Sequence, residues 1–377
     1  MSKRVLICRS NPIFPDPRVE KIAHALYGGG YSVQLLGWDI TGQLPLLGEM
    51  DGIPYQRCRI TLKRVKGLWN LWYELRWQVV LLGWLIRHRN TYDIIHACDF
   101  DTILPALICN YLWRKKVVYD IFDFYADMLR ATPLGLKSMI RKIDLHAVDR
   151  ADAVIIADDS RREQISGSHP RRLEIIYNSP EDKIVTLEAN SNQLHEEETF
   201  CIAYVGNLQV ERGLLELIEV IRLHPEWRLD LAGFGGDEGR ILAAASTLPN
   251  VTWHGKVPYQ KALELEFHAD VIVGTYSPQI PNHRFSSPNK LFEAMMLGKP
   301  VIVARGTNMD RIVEHENCGI VVEYGDSSAL EAALSVLQRD PAIRQKYGKQ
   351  ARKAYDNTYN WTIMKNRLLT LYQELVQ

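Results

Sequence analysis

The chain has 377 residues, 46% hydrophobic and 24% charged, with 45 Lys and Arg balanced by 45 Asp and Glu. That length suggests two domains, and the composition excludes a disordered or fibrous chain. A formal charge of zero argues against a dedicated nucleic-acid binder. The charge is uneven, however: residues 1–180 carry 25 basic and 19 acidic side chains, leaving 20 and 26 for the remainder. A basic first half suits an anionic surface or partner, and equally two domains that attract each other across a cleft.

From the N-terminus, Lys3–Arg9 predicts a core strand, too short and too soon followed by prolines for a signal peptide. A helix over Arg18–Tyr27 stops at Gly28-Gly29-Gly30, and Tyr31–Gly37 predicts a second strand. Next come a strand at Asp93–His96, a helix over Ile103–Trp113 and a strand at Val117–Asp120. A helix over Leu136–Val148 and a strand at Ala153–Ala157 follow. The polar stretch 179–199, with Glu196, Glu197 and Glu198, is expected to link the domains. A second series of strands follows at Phe200–Val205, Arg228–Ala232, Val251–Trp253, Ala269–Val273, Pro300–Val303 and Gly319–Val322. The last helix, Trp361–Leu375, gathers Leu368, Leu371, Tyr372 and Leu375 on one face. Short apolar strands alternating with helices mean parallel, doubly wound α/β sheets, which bind ligands at their strands' carboxyl ends. The expected architecture is two Rossmann-like domains facing a central cleft. The expected bounds are 1–180, with 360–377 packing back on it, and 200–358.

Six scattered cysteines without a C-x-x-C pair favour reduced cytosolic thiols over disulfides or zinc. The longest apolar run, Val79–Ile86, falls far short of the ~20 residues that span a bilayer. A cytoplasmic protein is expected. Residues 62–90 stand apart, with Trp69, Trp72, Trp77 and Trp84 flanked by Lys63, Arg64 and Lys66 and by Arg87, His88 and Arg89. Such a segment suits peripheral contact with an anionic inner-membrane face, and equally a buried amphipathic helix.

Chemistry concentrates in two motifs. In SSPNKLFEAMMLGK, Ser287 suits an N-cap, Pro288 the first helical position and Gly298 the stop. Asn289 and Lys290 then stand at a positive helix start, an anion site, with Glu293 on the same face to take ribose hydroxyls. In YVGNLQVERG a strand ends at Gly206 and a helix begins near Gly213, with Arg212 able to pair with phosphate oxygens. Two cations and a helix terminus can neutralise a departing diphosphate without a metal.

These two motifs together resemble glycosyltransferase family 4, of the two-Rossmann GT-B fold. DPRVEKIAHALYGGGYSVQLLGWD is similar to the family's first strand–helix–strand unit, DIIHACDFDTILPA to its acceptor-side strand, and YNWTIMKNRLLTLYQELV to its closing helix. The resemblance implies that Arg212 and Lys290 clasp the diphosphate, that the amides of Lys290 and Leu291 face phosphate oxygens, and that Glu293 holds the ribose. It further implies that Lys256 and Val257, in the loop from His254 to Pro258, read a base, usually uracil, and that Gly233 lets the nucleotide approach. Asn11, Asp16 and Arg18 would line the first strand's exit loop, with Asp99 and Asp123 facing an acceptor. Three departures stand out. Phe285 replaces the carboxylate usual eight residues before Glu293, Asn207 replaces an arginine, and His96-Ala97-Cys98-Asp99 keeps only His96 and Asp99 of a His-x-His-Asp string.

The expected activity is a retaining, metal-independent transfer of a sugar from a UDP-sugar, UDP-glucose first, to a hydroxyl of a glycan or lipid-linked acceptor. No cofactor is expected. A GT-B UDP-sugar 2-epimerase and a non-catalytic nucleotide-sugar-binding protein are the alternatives.

Overall fold

The computed structural model describes residues 2–61, 69–129, 132–190 and 199–377. Lys63, Arg64, Lys66 and the acidic run at 196–198 lie outside them. The chain divides into two compact units, Met1–Tyr177 with Met364–Gln377, and Asn178–Ile363.

The first unit is built on eight strands: β1 (Arg4–Cys8), β2 (Ser32–Asp39), β3 (Leu47–Met50), β4 (Ile53–Arg59), β5 (Ile94–Cys98), β6 (Lys116–Ile121), β7 (Ala153–Ile156) and β8 (Leu173–Ile175). Their order is β3-β4-β2-β1-β5-β6-β7-β8, and only β3 runs antiparallel. β5 and β7 are buried along their whole length, as central strands covered by helices on both faces must be. The order reverses between β1 and β5, which places a topological switch point at their carboxyl ends.

Strands β3, β4 and β8 are additions to the expected plan. Asp51 and Gly52, at φ +48° and +84°, form the two-residue turn that pairs Met50 with Ile53. Asp-Gly suits such a turn because both positions need positive φ. The polar look of β4 hides a buried arginine. The Arg57 guanidinium donates to the carbonyls of Pro12 (2.7 Å) and Pro45 (2.8 Å) and stacks on Tyr55.

Helix Trp69–Arg87 divides its aromatic residues between core and surface. Trp77 and Trp84 are buried, and Trp77 stacks on Trp38 with ring centroids 5.4 Å apart, whereas Trp72 is 61% exposed. The closing helix Trp361–Val376 returns to the first unit from Met364 onward, burying Leu368, Leu371 and Tyr372.

The second unit has six parallel strands: β9 (Cys201–Asn207), β10 (Arg228–Phe234), β11 (Val251–Trp253), β12 (Val271–Gly274), β13 (Val301–Ala304) and β14 (Gly319–Val322). Their order is β11-β10-β9-β12-β13-β14, with the switch point between β9 and β12. Part of the stretch expected to be a linker forms helix Ile184–Asn190 and belongs to this unit. The adjacent strands β9 and β10 pair Gly206 with Gly233. A Cβ on Gly233, which sits at φ +138°, would lie 1.8 Å from the Gly206 carbonyl oxygen, so only glycine fits there.

Helix Asn289–Leu297 starts one residue later than expected. Pro288 holds an extended backbone (φ −77°, ψ 151°) in the N-cap position, where no side-chain oxygen of its own can cap the helix. Gly298, at φ +64°, ends it as the motif implied.

Candidate functional site

In the second unit the switch point gathers the second-half motif residues. Lys290 opens helix Asn289–Leu297 and is only 5% exposed. Its Nζ lies 3.4 Å from the centre of the Tyr204 ring and 3.7 Å from where a Cβ on Gly206 would stand. Its stem passes Gly274, where an added Cβ would come within 3.3 Å of Lys290 Cδ. Nζ has no hydrogen-bond partner among the described residues. A buried, unpartnered ammonium at a strand-end crossing is costly, and an anion is its natural complement.

Arg212 comes from the turn that precedes helix Leu214–Leu223. Its guanidinium carbon lies 3.9 Å over the Tyr276 ring, and it hydrogen-bonds the Tyr276 hydroxyl. Lys290 Nζ is 5.6 Å from the centre of the same ring, so Tyr276 holds the two cations around one aromatic plate. Burial pushes the Lys290 pKa down to about 7, and the Arg212 charge pushes it the same way, while Glu266 and Glu293 oppose them.

Glu293 is buried one turn beyond Lys290 and takes a hydrogen bond from Tyr259. Glu266, on helix Tyr259–His268, is wholly buried, and neither of its oxygens has a partner among the described residues. Burial, reinforced by Glu293, pushes its pKa well above the usual carboxylate range. Tyr276 and Glu266 read in the sequence as ordinary core or helix positions, and Tyr204 enters it as the strand residue that opens YVGNLQVERG. No local signal marks them, because only the packing of β9, the residues after β12 and helix Tyr259–His268 turns them toward Lys290.

The remaining nucleotide-side residues are dispersed around this centre. Asn207 is exposed at the end of β9, where its carbonyl accepts the Tyr204 hydroxyl at 2.8 Å. The loop at 254–258 is clamped to β10: the Gly233 N–H donates to the Gly255 carbonyl at 2.8 Å, and His254 hydrogen-bonds Asp230 at 2.8 Å. Lys256 is exposed with its Nζ 4.9 Å over the Phe234 ring, and Val257 and Phe285 are half-buried. The Asn289 Oδ1 is buried without a partner among the described residues. One expectation is corrected: the Leu291 N–H donates to the Pro288 carbonyl at 3.2 Å, so this amide is already occupied within the first helical turn.

The first unit presents a different arrangement at the ends of β1, β5 and β6. Asp99 adopts φ +63°, a strained backbone for a non-glycine residue, costing about 1–3 kcal/mol. Its carboxylate accepts the N–H groups of Phe122 (2.8 Å) and Asp123 (3.3 Å) and pairs with Arg9, which holds that conformation in place. Arg9 also bonds Asp16 (3.1 Å), which accepts the Asn11 amide at 2.8 Å, and its guanidinium stacks on Phe122. Asp123, half exposed, pairs with Arg161 at 3.1 Å.

Two acceptor-side expectations change here. Arg18 does not line an open loop. It is buried, donates to both oxygens of Asp120 (2.7 and 3.2 Å), and reaches the Ile176 carbonyl at 2.8 Å. His96 is fully buried between Asp120 (3.3 Å) and the Tyr372 hydroxyl (2.7 Å), so it braces the closing helix and offers no edge to a ligand. Burial opposes ionisation of Asp120, but Arg18 and His96 outweigh it and hold its pKa below the usual range.

Among the described residues no group of three or more His, Cys, Asp or Glu is arranged to hold a metal ion, and all six cysteines are free. No helix among them is long and apolar enough to cross a membrane.

Comparison with known proteins gives this geometry a setting. Residues 187–354 match the family described as glycosyl transferases group 1. The capsular polysaccharide biosynthesis glycosyltransferase CapM of Staphylococcus aureus is 24% identical over 308 residues, covering 78% of this chain and 80% of that protein. Sucrose-phosphate synthase from Thermosynechococcus elongatus superposes with a TM-score of 0.79 at 17% identity over 99% of both chains. Anabaena HepE in complex with UDP-glucose gives 0.74 at 15% identity, over 98% of this chain and 99% of that one. Residues 187–354 of the second unit thus match the group 1 glycosyl transferases, and the two parallel-sheet α/β units share the GT-B fold of these solved neighbours.

Proposed function

We propose that this protein transfers a sugar from a nucleotide diphosphate, a UDP-sugar, to a hydroxyl of a glycan or lipid-linked acceptor. One observation carries the reading: Lys290 Nζ is buried and unpartnered at a helix start, next to Gly206 and sharing the Tyr276 plate with Arg212. A diphosphate oxygen supplies the acceptor that this ammonium lacks. Lys290 also takes over from the arginine that Asn207 replaces in the family 4 pattern. That HepE was crystallised with UDP-glucose, and that CapM serves polysaccharide synthesis, supports the choice of donor and of acceptor class.

In the proposed step the bond between the anomeric carbon and the diphosphate oxygen breaks as the acceptor oxygen bonds to that carbon. Arg212 and Lys290 stabilise the charge gathering on the diphosphate, which takes the acceptor's proton, and configuration is retained. Two cations and a helix terminus supply the positive charge, so turnover is expected to persist in a chelator. Glu293 holds the ribose, and Asp123, half exposed, remains the acceptor-side carboxylate.

Thermal-shift screening of UDP, UDP-glucose and other nucleotide sugars tests the reading, since a ligand of the native state raises the melting temperature. UDP and at least one UDP-sugar are expected to raise it. If a purine nucleotide sugar alone stabilises the protein, the assignment of the base is wrong.

We also propose peripheral contact with an anionic membrane. On helix Trp69–Arg87, Trp72, Leu75, Val79 and Ile86 form one exposed stripe with the cations Arg76 and Arg87 exposed on the same helix. Helix Phe100–Trp113 packs beside it and adds exposed Ile108, Tyr111 and Leu112. Sedimentation with anionic but not neutral vesicles is the expected result. Equal binding to both, or to neither, removes the electrostatic argument.

A further inference from the structure

The surroundings of Lys290 in the second unit do not suit a permanent positive charge. Tyr204 faces it from β9, Tyr276 from the residues after β12, Arg212 from the turn before helix Leu214–Leu223, Glu266 from helix Tyr259–His268, and Glu293 from its own helix. Tyr259 faces Glu293 in turn. No oxygen accepts a hydrogen bond from Nζ among the described residues, and the nearest fixed cation, Arg212, shares its aromatic plate. Glu266 is the other misfit: a carboxyl fully enclosed, with neither oxygen bonded. An ionised carboxylate in that position would go without the hydrogen bonds that normally stabilise one.

We propose that a diphosphate arriving at this helix start draws one proton from solvent onto Lys290, while Glu266 keeps its own proton throughout, so that part of the binding charge is created on arrival. The inference deepens the reading of the site as a diphosphate seat and rests on it. In the step, the Nζ lone pair forms an N–H bond with a proton released by water or buffer, and the ammonium then donates to the diphosphate. Among the described residues the carboxyl that could supply it internally is Glu266. Losing its proton would leave a carboxylate enclosed beside Glu293 and the diphosphate, three anionic groups in one place, which is the costlier route.

The direction of the pH effect follows. Burial holds the Lys290 pKa at about 7. A bound diphosphate raises it. Affinity is therefore greatest below that value and falls as pH climbs from it toward the bound-state value, by up to about tenfold per pH unit.

Calorimetric titration of the full chain with UDP, in buffers of different ionisation enthalpy at pH ~8, counts the protons. At that pH the UDP phosphates are fully ionised, so they contribute none. Uptake of about one proton per UDP is expected for the native chain and for Glu266→Gln. Lys290→Arg, with its permanent charge, is expected to take up none and to bind UDP with a flat pH profile, and Lys290→Met gives a second uptake-free variant should the arginine not fit. UDP binding without proton uptake in the native chain overturns the proposal and leaves the diphosphate seat standing. So does uptake that appears only in Glu266→Gln, which would make Glu266 the donor. Absence of UDP binding at any pH sinks the diphosphate seat itself.

Discussion

The two units carry charged residues at equivalent places, the carboxyl ends of their central strands, and treat them in opposite ways. In the first unit Arg9, Arg18, Asp16, Asp99 and Asp120 are tied to one another, and His96 and Tyr372 extend the network to the closing helix. In the second unit Lys290 and Glu266 are buried with no hydrogen-bond partner for Nζ or for either carboxyl oxygen among the described residues. A satisfied network fixes a conformation. An unsatisfied buried amine leaves its hydrogen-bonding capacity unused. Position in a doubly wound sheet therefore does not by itself distinguish bracing from binding, whereas hydrogen-bond completeness does.

That contrast can be broken by a pair of substitutions with opposite outcomes. Asp120→Ala strips Arg18 and His96 of their common partner inside the first unit, and is expected to cost about 3–5 kcal/mol of stability, because it strands a buried guanidinium. Chemical denaturation measures this, and UDP binding by the still-folded fraction should be unaltered. A loss of less than about 1 kcal/mol would mean that the network is ornamental.

Lys290→Met and Arg212→Ala should behave in the converse manner. Each is expected to lower kcat/KM by about 2–4 kcal/mol in the transition state, roughly 30- to 1000-fold. The melting temperature of Lys290→Met should hold or rise, since an unpartnered buried amine is exchanged for an apolar group. Near-normal turnover in both variants would count decisively against the anion seat.

The smallest effect sharpens the contrast through pH. In the first unit burial holds Glu74 at about 8, Asp144 at about 7 and Asp101 at about 6, all above the unfolded values near 4. Each raised carboxyl contributes stability that is fully present below its unfolded value and is lost as pH rises through its folded one. The first unit should therefore weaken between pH ~4 and ~8. The depressed Lys290 acts in the other direction: its penalty is present below about 7 and fades as pH rises toward the unfolded lysine value. Asp144→Asn keeps a partner for the Tyr119 hydroxyl, which donates to Asp144 at 2.6 Å, and should flatten the decline by about 1–2 kcal/mol. Melting curves of both proteins across that range decide it, and parallel curves would show that Asp144 is not the group responsible.

Much of the fold was legible because parallel central strands announce themselves as apolar runs bounded by helices, as β5, β7, β9 and β12 do. Strand β4 was not, although Asp51-Gly52 marked its turn, since Arg57 looks solvent-facing until Pro12 and Pro45 supply its carbonyl partners. Lys290, Arg212, Gly206 and Glu293, the residues of the proposed anion site, could be named from local motifs, because a helix start and a strand-ending glycine are short-range features. His96 and Arg18 misled for the same reason. Their residue types suit catalysis, and nothing nearby in the chain reveals that Asp120, 24 and 102 positions away, has claimed both.

Two parallel-sheet units, the helix start that carries Lys290 and its glycine neighbours were determined by the sequence itself, through periodicity and turn chemistry acting over a few residues. Which charges are neutralised and which are left waiting was decided only by the tertiary structure. Partnership depends on side chains brought within about 3 Å from distant segments, and a desolvated charge owes its pKa to whatever those segments supply or withhold.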